Sequence, residues 1–139
     1  MIVSTYQSVS GWGVQAQQEL LNQIPHALKS LDDIPFDPMV FAHPIAFNLF
    51  PHIDKFTEDG YTKEEMKMVW ETQKIMGDDT IKISPTTVRV AVMVGHGESI
   101  NIETERKLTA VEAREILASS PGIVVIDEPN TNTPPKRPV

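Results

Sequence analysis

His96 stands between Gly95 and Gly97, directly after a valine-rich run, and its surroundings invite chemistry. Glycines let the backbone turn through positive φ and let another molecule come close. A histidine side chain in such a place can serve as general acid or base near neutral pH; the same spacing also fits an ordinary turn between two strands. Arg89 is the one charge in the apolar run from Val88 to Val94. A guanidinium inside a strand needs a carboxylate or a phosphate, supplied by the protein or by a ligand. Seven residues of regular strand would put Arg89 and His96 on opposite faces and about 23 Å apart. A shared site therefore requires a bend near Gly95.

Glu64 and Lys67 are three residues apart on a predicted helix and project the same way. That spacing suits a solvated ion pair worth a few tenths of a kcal/mol and a ligand-binding pair alike. Gln7 closes the opening strand, at the kind of strand end where ligands meet a fold. His26, His43 and His52 have no metal-like spacing with one another or with carboxylates. They read as structural or surface residues, and no metal is expected.

The chain has 139 residues, 40% of them apolar and 22% charged, with 19 acidic against 12 basic side chains and a net charge of -7. This is ordinary globular usage and room for one domain. The acidic balance argues against nucleic acid or an anionic membrane as the main partner, because counterion release needs clustered Lys and Arg. With no cysteine, disulfides, thiolate metal sites and a cysteine nucleophile within this chain are excluded. No signal-like N-terminus and no apolar stretch of about 18–20 residues is present. A cytoplasmic location is expected.

The elements that must position these side chains follow from pattern. Ile2 to Tyr6 is β-branched and aromatic and predicts a strand; Ser8 to Gly13 breaks it, and a helical period starts at Val14, with Pro25 as kink or stop. Residues 32 to 54 hold Pro35, Pro38, Pro44 and Pro51 among aromatics such as Phe36, Phe41, Phe47 and Phe50, which predicts a packed irregular connection with short strands. Thr62 and Glu65 fit a capping box with Tyr61 and Met66 as its staple. The helix they open should run to about Met76 and stop at Gly77, with Met66, Val69, Trp70, Gln73 and Met76 on one side. Val88, Val90, Val92 and Val94 alternate with Arg89, Ala91, Met93 and Gly95 and predict a strand with one buried face. Ser99 to Glu105 predicts a second strand. Thr109 and Glu112 form another capping box for a helix from Ala110 to about Ser119, and Ile123 to Ile126 predicts a strand buried on both faces. The division expected is a domain over 1–128 and a Pro-rich tail over 129–139. The class is α+β: a mixed sheet with helices on one face, and an open apolar second face fit for dimerisation.

Several segments, in order, resemble aspartate-semialdehyde dehydrogenase: Val3 to Gly11, Ile45 to Asn48 with Pro51 to Asp54, Gly60 to Met68, Glu71-Thr72, Val88 to Val90, Gly95 to Ser99, and Asn101 to Thr104. The ordered set is specific and covers the chain to about Asp127. The resemblance implies the glyceraldehyde-3-phosphate-dehydrogenase-like C-terminal (dimerisation) fold, and the NADPH-dependent reduction of aspartyl phosphate to aspartate semialdehyde on the route to lysine, methionine and threonine. In that chemistry a cysteine attacks the acyl phosphate, phosphate leaves, and hydride from the nicotinamide resolves the thioester. By the same resemblance the acid/base histidine falls on His96 and the substrate-carboxylate arginine on Arg89. The glutamate that meets the substrate amino group falls on Glu64, the phosphate-associated lysine on Lys67, and the glutamine that orients the intermediate on Gln7.

The family's cysteine lies just upstream of the Ser-Thr-Tyr-Gln region and is not in this chain, nor is the glycine-rich nucleotide-binding half. The chain alone is therefore expected to be inactive and to bind no NADP itself. Gly97 stands where the family usually has Ser, and Trp12 where a small residue is usual. The expected partners are the small-molecule substrate, phosphate and a second copy of the chain. Two other readings are a non-catalytic dimerisation module or degenerate relative, and an N-acetylglutamyl-phosphate reductase. Glu64 speaks against the second, since an acetylated amine carries no charge to pair.

Overall fold

The structure, a computed structural model, describes residues 1–35 and 40–127. The expected tail over 129–139 lies outside the described residues, as do Phe36 and Pro38. The chain divides into two compact units, Met1–Ile102 and Glu103–Val139.

In the first unit, β1 (Ile2–Gln7) leads through a 3-10 turn at Val9–Trp12 into α1 (Val14–Ala27). An irregular stretch follows, with the two-residue β2 (Leu49–Phe50), then α2 (Lys63–Met76), β3 (Ser84–Val90) and β4 (Gly97–Asn101). The sheet order is β2-β3-β1-β4, with β1 and β3 parallel and both outer pairings antiparallel. It is the mixed sheet expected. Pro25 sits inside α1, which continues two residues further to Ala27. Val9, Ala16, Leu20, Ala27, Phe41, Ile45, Ala46 and Phe50 form the apolar core. The proline-punctuated stretch thus packs on the chain's own α1.

Two buried side chains of α1 fasten it there. Glu19 Oε2 accepts from Val40 N at 2.9 Å, and Gln23 Oε1 accepts from Ile45 N and Ala46 N at 2.8 and 3.0 Å. These bonds satisfy backbone donors that an irregular buried segment would otherwise leave unpaired.

The two sheet faces differ in what covers them. Val3, Thr5 and Gln7 of β1 are buried beside Pro85, Thr87 and Arg89 of β3, so α2 covers the register that includes the charge. Val88 and Val90 point to the other face, half-buried, beside Tyr6 and Leu49. The strand stops at Val90, so Val92 and Val94 do not extend the ladder. Alternation in a strand defines two faces; which is covered depends on what packs there. Here a helix bearing glutamates selects the polar face.

The capping box is as expected: Thr62 Oγ1 accepts from Glu65 N, Glu65 Oε2 accepts from Thr62 N, and Gly77 ends α2 in the left-handed region. The predicted apolar side of α2 is only partly realised. Met66, Val69 and Gln73 are half-buried, but Trp70 and Met76 are exposed. The helix attaches through polar atoms instead, with Gln73 Nε2 donating to the carbonyls of Asp79 and Ile81, both at 3.1 Å.

In the second unit α3 spans Ala110–Ser119, with both halves of the Thr109–Glu112 capping box formed. Arg114 pairs with Asp127. The strand expected over 123–126 is not formed, and Ile123, Val124 and Ile126 are exposed. An apolar β-branched run becomes a strand only where a neighbouring strand takes its backbone hydrogen bonds. The described residues of this unit supply none.

Candidate functional site

Parallel pairing of β1 and β3 places Gln7 and Arg89 opposite each other as the last pair of the ladder. Both are buried on the helix-covered face; β1 ends at Gln7 and β3 one residue beyond Arg89. The cap at Thr62 fixes the first turn of α2, so Glu64 arrives over Gln7. Its Oε1 accepts from Gln7 Nε2 at 3.1 Å, and its Oε2 accepts from Lys67 Nζ at 3.1 Å. The i,i+3 pair is thus real, but one end is tied to a buried glutamine. The hydrogen bond and charge of Glu64 hold the Lys67 ammonium above the ordinary lysine range.

Arg89 donates from Nη1 to the Ser8 carbonyl at 2.5 Å. Its guanidinium carbon stands over two rings, 5.6 Å from the centroid of Trp12 and 5.8 Å from that of Phe41. Burial lowers its pKa, and the charge of Glu64 opposes that shift. Among the described residues no carboxylate comes within salt-bridge distance of it. One donor of the guanidinium is taken by a carbonyl, and a guanidinium has five.

The backbone bends as a common site requires. Beyond Val90 the chain runs alongside the turn after β1: Val9 N donates to Val92 O at 2.9 Å and Ser10 N to Met93 O at 3.1 Å. Gly95, at φ 88°, then reverses direction and brings His96 back over Ser8. Ser8 N donates to His96 Nδ1 at 3.2 Å, and Ser8 Oγ lies at the same distance. A backbone N–H can only donate, so Nδ1 is the bare nitrogen and the neutral ring carries its proton on Nε2. A Cβ placed on Gly11 would lie 3.5 Å from His96 Nε2 and 3.6 Å from Arg89 Nη1. The two side chains therefore converge on Gly11.

The five expected residues fall into two touching groups: Gln7, Glu64 and Lys67 through hydrogen bonds, and Arg89 with His96 around Ser8 and Gly11. The electrostatic coupling of Glu64 to Arg89 links them. Sequence reasoning gave no role to Ser8, whose carbonyl fixes Arg89 and whose N–H fixes His96, nor to Phe41 as a wall of the arginine. For Ser8 the available signal was its place directly after a strand-end glutamine. Among the described residues no three His, Cys, Asp or Glu side chains are grouped to hold a metal. Among the described residues no helix is long and apolar enough to cross a membrane.

Residues 1–139 match the family described as semialdehyde dehydrogenase, dimerisation domain. The aspartate-semialdehyde dehydrogenase of Aquifex aeolicus is 51% identical over 135 residues, 97% of this chain and 39% of that protein. That of Legionella pneumophila is 51% identical over 90% of this chain and 35% of its own length. The chain thus spans well under half of the curated relatives it matches. Among solved structures, aspartate semialdehyde dehydrogenase II complexed with ASA from Vibrio cholerae superposes with a TM-score of 0.87 at 42% identity, covering 98% of this chain and 40% of that one. The enzyme from Francisella tularensis gives 0.75 at 29% identity, covering 85% and 38%. The fold is the glyceraldehyde-3-phosphate-dehydrogenase-like dimerisation fold. The chain belongs to the semialdehyde dehydrogenase dimerisation-domain family.

Proposed function

We propose that this chain is the substrate-binding and dimerisation part of an aspartate-semialdehyde dehydrogenase, cytoplasmic and homodimeric, with residues 1–128 as the working unit and 129–139 as its tail. The observation that carries the reading is the convergence of Arg89 and His96 on Gly11, with Glu64 joined to Gln7 and Lys67 beside them. A short ligand bearing a carboxylate, an amino group and a phosphoryl group needs two cations and one anion around it. Arg89, Lys67 and Glu64 supply that set.

In this reading Arg89 takes the carboxylate through the donors that Ser8 leaves free, and its planar fork sets the ligand's orientation. Glu64 receives the ammonium, Lys67 the phosphoryl oxygens, and Gln7 steadies Glu64 and the reacting carbonyl. His96 exchanges a proton at Nε2, because Nδ1 is engaged by Ser8 N–H. NADP supplies hydride in the complete enzyme. The residues here do not fit the dinucleotide: the turn from β1 to α1 is occupied at Gly11 by His96 and Arg89 and is not a bare glycine cradle for a diphosphate. The open sheet face, with Ile2, Tyr6 and Leu49 exposed beside Val88 and Val90, is the dimerisation surface.

The test is complementation. The chain is mixed with a separately expressed nucleotide-binding part carrying the cysteine, and phosphate-dependent NADP reduction by aspartate semialdehyde is followed at 340 nm, in the reverse direction. Activity that appears with the wild-type chain and is lost with Arg89→Ala supports the assignment. No activity, or activity indifferent to Arg89→Ala, overturns it.

A further inference from the structure

Ser8 stands where a serine ordinarily caps a helical turn, directly ahead of Val9–Trp12, yet its side chain makes no capping bond. Its hydroxyl meets the His96 ring instead, 3.2 Å from Nδ1, and the Ser10 hydroxyl, 3.0 Å away. Ser8 is fully buried and Ser10 half-buried. Two groups of one residue thus face one ring nitrogen, and they are not equivalent. The Ser8 N–H can only donate, so it serves Nδ1 only while that nitrogen is bare. With Nδ1 bare and the hydrogen on Nε2, the neutral ring has no lone pair at Nε2 to take a proton and no second proton to give. Exchange at Nε2 therefore occurs while Nδ1 also carries a hydrogen, and that hydrogen needs an acceptor. Among the described residues Ser8 Oγ is the acceptor within reach of Nδ1, and no carboxylate pairs with the ring.

We propose that Ser8 is a positioning residue for His96 through its hydroxyl, which accepts from Nδ1–H, passes its own hydrogen to Ser10 Oγ, and leaves Nε2 free to give up or regain a proton. The inference rests on the proposed acid/base role of His96. The step balances: the Nε2 proton moves to a ligand oxygen, its bonding pair stays on the nitrogen, and Nδ1–H keeps its partner on Ser8 throughout. When Nδ1 is bare, the backbone N–H takes over. Ser8 thus offers a donor to one state of the ring and an acceptor to the other, and the ring keeps its place in both.

The test uses Ser8→Ala, which removes one oxygen and retains both the N–H to Nδ1 and the carbonyl to Arg89. In the 15N-labelled chain, at an acidic pH where both His96 ring nitrogens are seen to carry hydrogen, NMR measures how fast Nδ1–H exchanges with water. Exchange should be about 3- to 10-fold faster in Ser8→Ala, the equivalent of one net hydrogen bond, with the Arg89 Nε–Hε signal in its wild-type position. In the complementation assay kcat should fall by a similar factor while KM for aspartate semialdehyde holds, because only proton exchange is affected. Equal exchange rates in the two chains overturn this inference and leave the site reading intact. Faster exchange with an unchanged kcat also overturns it, by showing the bond to be structural alone. Full activity of His96→Asn overturns the acid/base reading itself, and the role of Ser8 with it.

Discussion

Glu64 is the junction of the candidate site, and truncating it in two ways separates its structural from its binding contribution. In Glu64→Ala the buried Gln7 amide loses its acceptor, which by itself costs about 1–3 kcal/mol for an unpaired buried donor. The lost pair with Lys67 adds about 0.2–1 kcal/mol at most, because the lysine side chain is 43% exposed. In Glu64→Gln an amide oxygen still accepts from Gln7, so only the ion pair is lost and the cost stays under about 1 kcal/mol. Urea unfolding should therefore place Glu64→Ala about 1–3 kcal/mol below Glu64→Gln. Thermal midpoints should differ by a few degrees in the same order. Binding of aspartate should behave otherwise: both variants lack the carboxylate proposed to receive the ammonium, so both should lose affinity to a similar extent. Equal stability of the two variants would show that Gln7 does not depend on Glu64. Undiminished aspartate binding in Glu64→Gln would remove Glu64 from the ligand's surroundings.

Because the folded chain holds the Lys67 ammonium more firmly than the unfolded chain does, through its hydrogen bond and charge interaction with Glu64, that contribution is complete below the ordinary lysine value of 10.5 and disappears as pH rises through the raised folded value. Unfolding free energies measured from about pH 9 to 12 should fall more steeply for wild type than for Lys67→Gln; parallel curves would refute the pairing. Ile2→Asp alters a side chain that is 61% exposed on the open sheet face, so the monomer should keep its stability to within about 0.5 kcal/mol. In sedimentation velocity its dimer dissociation constant should rise at least about tenfold over wild type, and an unchanged constant would place the dimer contact elsewhere.

Where local chemistry decided an element, the sequence was legible. Thr62 with Glu65 and Thr109 with Glu112 marked the starts of α2 and α3 because a capping box satisfies backbone donors within four residues and needs no distant partner. Gly77 marked a stop for the same reason, through its left-handed conformation. Elements whose existence depends on a neighbour were legible only where that neighbour is present: the strand expected from Ile2 formed as β1 between β3 and β4. Ile123 to Ile126 has strand composition, but composition cannot supply the adjacent ladder. The side of α2 could not be read from its apolar spacing either, because Glu64 and Glu65, not Trp70 or Met76, are the groups that meet the sheet. For the site, residue types pointed to His96 and Arg89 singly. Their meeting depended on hydrogen bonds from Val9 to Val92 and from Ser10 to Met93, tertiary contacts that no spacing rule contains.

The assignment of the β3 faces connects site and assembly. Had the valines been buried under α2, Arg89 would project from the open side, away from Glu64 and from the end of β1. Burying Arg89 carries a desolvation cost that a strand of valines would not. The Ser8 carbonyl, the Trp12 and Phe41 rings and the charge of Glu64 offset that cost. Val88 and Val90 consequently turn outward and give the opposite face its apolar character. A single two-residue alternation thus places the guanidinium in the cleft and the valines at the surface available to a second copy. Shifting β3 by one residue against β1 would exchange the two faces and cost the chain both at once.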